Sequence, residues 1–199
     1  MHIRTDAVNF STSRAMPTSR KKSPPLDADG LWELALKALA VRACSTGEVR
    51  QKLLARAART EDVEATLSRL KASRYLDDRR FAESFAAARL ENQRIGKMRV
   101  SQDLRRRRVA PTLAEASVQK AYAGVDEAKL IEEFIRRKYR EAAREGLFRD
   151  QKDLGSAYRR LMRAGFNSGN VIRALKRFAA DPELLDSFEP PVENEEDSS

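Results

Sequence analysis

The chain has 199 residues, of which 41% are hydrophobic and 35% charged, with a formal net charge of +9. Gly and Pro are scarce, at 8 and 7, while Ala, Leu, Arg, Lys and Glu dominate, so the expected fold is nearly all α, with a thin core under a heavily charged surface. A single cysteine, Cys44, and a single histidine, His2, exclude a disulfide framework, a zinc site and histidine-based catalysis, and they fit a reducing, cytoplasmic setting.

Residues 1–28 mix Ser, Thr, Pro and scattered charge and end in Lys21-Lys22-Ser23-Pro24-Pro25, which predicts a disordered basic leader, with Met16 as an alternative start. The most apolar stretch, Leu31 to Val41, is interrupted by Glu33 and Lys37, so neither a signal peptide nor a membrane span is expected. It reads as a first helix with a Leu31/Leu34/Ala38 stripe, fastened by Trp32, and Cys44 reads as a small buried filler.

Ser45-Thr46-Gly47-Glu48 is a capping box, with Ser45 and Glu48 as its two arms, ahead of a helix to about Ala58; Thr60 with Glu61 and Asp62 opens the next. In the segment Arg74 to Ala82, paired Asp77 and Asp78 invite a metal-dependent nuclease reading, but no further carboxylates converge on them. The structural reading makes Asp77 an N-cap and Asp78 the first residue of a helix, with Leu76 stapled onto Phe81; a Phe81/Phe85/Ala88 stripe follows.

Gly96 reads as a helix break, since no phosphate-loop pattern surrounds it. Thr112-Leu113-Ala114-Glu115 after Pro111 predicts a second capping box. Asp126 precedes a long helical stretch, Glu127 to Glu145, with an Ile131/Phe134/Ile135/Lys138 stripe in which Lys138 can only snorkel. Asp150 and Asp153 start another helix, which Gly165 ends.

The apolar pattern repeats internally: Val49, Leu53, Val63, Leu67 and Leu70 match Val100, Leu104, Ala114, Val118 and Ala121, and these match Ala157, Leu161, Val171, Leu175 and Phe178. Each set describes a helix hairpin preceded by a further amphipathic helix. About nine helices in tandem three-helix repeats follow, spanning 29–76, 77–125 and 126–188, with an acidic disordered tail at 189–199. The expected shape is an elongated curved array, monomeric, whose small units gain stability from their neighbours.

Residues 181–199 hold eight acidic and no basic side chains, which leaves +17 on the rest of the chain. Such a field favours phosphate backbones or acidic protein faces as partners. The candidates for partner contact are Arg74, Arg79 and Arg80, then Arg94 and Lys97, then Arg99, Arg105 and Arg106, which project away from the stripe shared by residues 100, 104, 107 and 108. The aromatics are spaced like core residues, so a stacking platform for single strands is not expected.

Ser45-x-x-Glu48, Tyr75-Leu76-Asp77-Asp78-x-Arg80-Phe81-Ala82 and Arg163-Ala164-Gly165-Phe166 ahead of Val171-Ile172 resemble, in order and spacing, the RecX regulatory proteins over residues 31–179. The resemblance implies a non-enzymatic regulator without cofactor or metal. It would bind the filament of RecA recombinase on single-stranded DNA, and duplex DNA weakly. It would inhibit filament extension, ATP hydrolysis and strand exchange, and so affect recombinational repair and the SOS response. Two departures stand out. The family's Gly-x-Gly-Pro-x-Arg is here Arg94-Ile95-Gly96-Lys97-Met98-Arg99, and its Lys-Gly-Ile is here Arg107-Arg108-Val109. The alternative reading from the residues is a helix-turn-helix protein on duplex DNA, although no helix carries an obvious base-reading row of Arg or Lys with Asn or Gln.

Overall fold

A computed structural model describes residues 24–139 and 147–180. Nine helices lie among them: α1 (Ala28–Val41), α2 (Thr46–Leu54), α3 (Thr60–Ala72), α4 (Asp78–Gln93), α5 (Lys97–Arg106), α6 (Pro111–Ala121), α7 (Glu127–Lys138), α8 (Gln151–Arg163) and α9 (Ser168–Phe178). Extended pairing among the described residues is limited to the isolated bridges Leu26 to Ala57 and Phe148 to Ala179. The helices pack in threes, α1–α3, α4–α6 and α7–α9.

Side-chain oxygens start most of these helices by accepting first-turn N–H groups that have no partner inside the helix. Asp27, Ser45, Asp77, Asp126, Asp150 and Asn167 all do so, and at Ser45 the Glu48 carboxylate answers by accepting the Ser45 N–H, completing the predicted box. Three helices end in the same way, with a residue at positive φ one position past the cap: Arg74 (57°), Arg108 (58°) and Gly165 (85°). In each, the next N–H reaches back to the carbonyl of Leu70, Leu104 or Leu161, which terminates the helix and turns the chain.

The repeat register predicts the core well. Fourteen of the fifteen matched positions are buried, Ala121 being half-buried. Leu31, Leu53, Leu70, Leu104, Ile131 and Leu161 are at most 1% exposed, each worth about 1.5–3 kcal/mol of transfer free energy. The buried residues form two clusters: α1–α3 with Leu76 close one core, whereas a second runs without a break through α4–α9.

Several expectations are corrected. Helix α2 stops at Leu54 rather than near Ala58, because the following residues pair with the N-terminal side: Leu26 N–H donates to the Arg56 carbonyl (2.7 Å) and Ala58 N–H to the Leu26 carbonyl (2.9 Å). Residues 24–28 are therefore part of the fold rather than of the leader. The second capping box is absent; α6 starts two residues earlier, with Ala110 as N-cap and Pro111 at its first position, where the missing N–H costs nothing. Helix α7 ends at Lys138, with Tyr139 already extended, and the rest of the predicted stretch lies in 140–146, outside the described residues. Cys44 is half-buried rather than fully so.

On α4 the stripe is rotated. Ala82 and Ala86 face the core, Phe81 and Phe85 are half-buried, and Ala88 is exposed. Leu76 joins the first core while Phe81 packs on the second, so the expected staple is divided between two cores.

Candidate functional site

The Arg74 to Ala82 motif forms the joint between the first two repeats. Tyr75 meets Trp32 edge-on at 6.2 Å, and the Arg69 guanidinium covers the Trp32 ring at 3.9 Å. Asp77 caps its own helix, accepting the Arg80 N–H at 2.9 Å, while Asp78 accepts the Thr46 N–H at 2.7 Å and so caps a helix of the preceding repeat. Both carboxylates thus act as caps.

The end of α5 completes this joint. The Ser45 hydroxyl donates to the Arg107 carbonyl, Arg107 donates to the Ala43 carbonyl (2.9 Å) and lies 2.8 Å from the Glu48 carboxylate, and Arg108 donates to Gln51 (2.7 Å). Burial alone would push Glu48 up. The hydrogen bonds from Arg42 and the Ser45 N–H, with the Arg107 charge, hold it below the ordinary carboxylate value instead.

The same joint recurs one repeat later. Gly96 stands where Ser45 stands in the register, and its N–H donates to the Ala164 carbonyl at 2.8 Å; Met98 N–H donates to Gly165 at 3.2 Å. A Cβ on Gly96 would overlap the Gly165 carbonyl, and one on Gly165 would overlap the Arg99 backbone. Gly96 is therefore the N-cap of α5 and a point of close backbone approach, more than a helix break. The loop ahead of it is tied down by buried Tyr122, whose hydroxyl donates to the Ile95 carbonyl at 2.6 Å; burial, reinforced by the Glu127 charge, pushes that phenol up to about 12.

Each joint leaves an open cleft with the same plan: an interhelix loop on one side, the first helix of the next repeat on the other, and the end of a capped helix as floor. The first cleft, about 710 Å³, sets Arg42, Arg74, Arg80 and Arg107 around Phe81 and Phe85. Arg107 lies over both rings, at 5.3 and 5.9 Å. The second, about 510 Å³, sets Arg89, Arg99, Arg137, Lys138, Arg160 and Arg163 around Ile95 and Phe134. Phe134 holds the same place after its cap Asp126 as Phe85 does after Asp77.

The single carboxylate lining the second cleft is Asp103. It is 9% exposed and lies 3.2 Å from Arg99, 3.6 Å from Arg89 and 3.7 Å from Arg106. One buried acid thereby holds several guanidinium groups at the rim of α5. Arg137 donates to the Asn92 and Gln93 carbonyls at the end of α4 and lies 5.8 Å from the Phe134 ring. Lys138 and Arg163 make no ion pair among the described residues, and neither do Arg74 and Arg80 in the first cleft.

Of the residues singled out by sequence, Arg74 and Arg80 line the first cleft and Arg99 the second. The others are not gathered with them: Arg79 faces Glu83 (3.6 Å), Arg94 pairs with Glu133, Arg105 pairs with Glu115 (2.7 Å), Arg106 reaches Asp103, and Lys97 starts α5 half-buried. Arg107 and Arg108 do not share an inner stripe, since Arg107 is half-buried in the joint and Arg108 is exposed. Sequence reading missed Arg137, Lys138, Arg160 and Arg163. The signal that could have found Arg137 and Lys138 is Phe134, the cap-relative counterpart of Phe85, followed after Ile135 by three basic residues; Arg160 and Arg163, on α8, join them only through the tertiary fold.

Comparison with known proteins agrees on the family. A family model described as the second three-helix domain of RecX matches residues 77–118. The chain is 30% identical over 141 residues to the regulatory protein RecX of Trichlorobacter lovleyi, covering 71% of this chain and 90% of that protein. It is 32% identical over 196 residues to that of Deinococcus radiodurans, covering 97% and 87%. In fold it is similar to the crystal structure of RecX from Lactobacillus salivarius, with a TM-score of 0.60 at 15% identity over 76% of this chain and 96% of that one. A second crystal structure of regulatory protein RecX gives a TM-score of 0.61 at 17% identity, over 75% and 73% of the two chains.

Proposed function

From the premise that this chain belongs to the RecX family of regulatory proteins, we propose that it is a negative modulator of the RecA filament on single-stranded DNA, acting as a monomer in the cytoplasm by steric and electrostatic contact and without covalent chemistry. The observation that carries this reading is the recurrence of one basic, aromatic-floored cleft at both repeat joints. A ligand with a single charged group needs one such site. A repeated site suits a polymer or filament that presents anionic groups at intervals, whether DNA phosphates or acidic side chains of successive subunits.

In this account the three modules, 29–76, 77–125 and 126–188, lie along the filament. Arg74, Arg80, Lys138 and Arg163, which make no ion pair among the described residues, make the primary contacts. Arg99 is positioned by Asp103, and Arg79, Arg94, Lys97, Arg105 and Arg106 flank the clefts. Guanidinium groups suit the task because their planar forks grip phosphate or carboxylate in two-point fashion. Occupying the filament this way would hinder its extension, its ATP hydrolysis and strand exchange, with consequences for recombinational repair and the SOS response.

The test is to titrate the full chain into RecA assembled on single-stranded DNA while following ATP hydrolysis, with binding to duplex DNA measured in parallel. Hydrolysis should fall as the chain is added, and duplex binding should be weak and steeply salt-dependent. Unaltered hydrolysis together with tight, sequence-dependent duplex binding would identify a helix-turn-helix reader instead.

A further inference from the structure

The second cleft gathers six cations around one carboxylate, and the segment that leaves the described fold beside it, residues 181–199, holds eight acidic and no basic side chains. The two features are close. Ala180 N–H donates to the Phe148 carbonyl at 2.9 Å, the Phe148 ring meets the Tyr139 ring edge-on at 5.4 Å, and the Arg160 guanidinium lies 5.4 Å from that same Tyr139 ring while lining the cleft. The acidic segment is thus rooted one aromatic pair away from the basic rim.

We propose that residues 181–199 occupy the cleft between the second and third repeats when no partner is bound, as an internal competitor for its cations. The chemistry matches on both counts. Asp181, Glu183 and Asp186 supply anions for Lys138 and Arg163, which have no ion pair among the described residues, and Leu184, Leu185 and Phe188 beside them suit a floor of Ile95 and Phe134. Reach is sufficient, because 19 residues of chain span roughly 25 Å on average even without being extended. Tethering at that length places its carboxylates near the cleft at an effective concentration on the order of millimolar. An incoming anionic polymer must displace them, so the segment sets a threshold for engagement rather than blocking it. The first cleft is lined by the first half of α4 (Arg80, Phe81, Ser84, Phe85) and the second by its last turns (Arg89, Asn92, Gln93), so Arg74 and Arg80 stand apart from the cations the segment covers.

This inference rests on the second cleft being the partner-facing site, yet its test needs neither RecA nor DNA. A nitroxide is attached at Ser187→Cys in a Cys44→Ser background of the full chain, and paramagnetic broadening of backbone amides is read by NMR at about 10 mM salt and again near 1 M, where the screening length falls from about 30 Å to 3 Å. Broadening should concentrate on residues 136–138 and 160–165 at low salt, disappear at high salt, and be lost at low salt in a Lys138→Glu, Arg163→Glu variant that retains its helicity. Should that variant unfold, Lys138→Gln with Arg163→Gln takes its place, and the salt series on the parent chain stands by itself. Broadening that is absent at low salt, centred on Arg74 and Arg80, or unchanged by salt would overturn the proposal whatever the RecA assay shows.

Discussion

The two repeat joints occupy the same positions in the register but are built from different materials. At the first, Gly47 also lets the Arg108 backbone come close, but the hydrogen bonds run through side chains: Ser45 and Glu48 hold Arg107, Gln51 receives Arg108, and the cores on either side stay separate. At the second, backbone meets backbone at Gly96 and Gly165, and the cores fuse into one. Glycine at both facing positions, Gly96 and Gly165, goes with backbone hydrogen bonds and a continuous core; Ser45 and Arg108 at the equivalent positions leave a joint held by side-chain hydrogen bonds and ion pairs. The first repeat should therefore respond to salt and pH more readily than the other two.

The contrast can be broken most severely at the glycines. Gly96→Ala or Gly165→Ala forces a methyl group into backbone that has no room to move, and each should cost about 3 kcal/mol or more in chemical denaturation, with unfolding of the last two repeats together. A loss under about 1 kcal/mol would mean that the close approach does not hold the joint.

Next in size is Tyr122→Phe, which strands the part-buried Ile95 carbonyl and should cost about 1–2 kcal/mol. Its pH signature distinguishes it. Because the folded phenol is raised to about 12 from an ordinary value near 10, its contribution is complete below pH 10 and is lost as pH climbs from 10 to 12. Denaturation midpoints of the parent chain should fall across that window more steeply than those of the Phe variant.

The smallest effect has the opposite sign. Arg108 sits at φ 58° where the equivalent position of the next joint has Gly165, so Arg108→Gly should relieve left-handed strain and stabilise by up to about 1 kcal/mol, visible as a higher melting temperature. A destabilised variant would show that the Arg108 contact with Gln51 outweighs the strain.

These contrasts also mark how far the sequence could be read. The all-helical repeat was legible because matched apolar positions such as Val49, Val100 and Ala157 sit at equal helical spacing, a pattern that only a buried face requires. The face of α4 was not, since Phe81/Phe85 and Ala82/Ala86 form parallel stripes one residue apart, and only close packing against α6 selects the small one for the core. That choice moves the phenyl rings into the first cleft. Arg74, Arg80 and Arg99 were identifiable as candidates from charge density alone, but their grouping depends on tertiary approach between repeats, as does the role of Asp103, a lone acid among arginines that spacing gives no reason to bury.

The central claim is that the clefts, more than the outer arginines of α5, meet the partner. The most direct measurement is inhibition of RecA's DNA-dependent ATP hydrolysis by a triple variant, Arg80→Gln, Lys138→Gln and Arg163→Gln, beside a double variant, Arg105→Gln and Arg106→Gln, both checked for retained helicity. None of the three cleft residues makes an ion pair among the described residues, so their neutralisation removes partner contacts without breaking an ion pair of the described fold. The account predicts a loss of inhibition on the order of tenfold or more for the triple variant, equivalent to about 1.4 kcal/mol, and a smaller loss for the double. An unchanged inhibition curve for the folded triple variant, or a greater loss from the double, would contradict it.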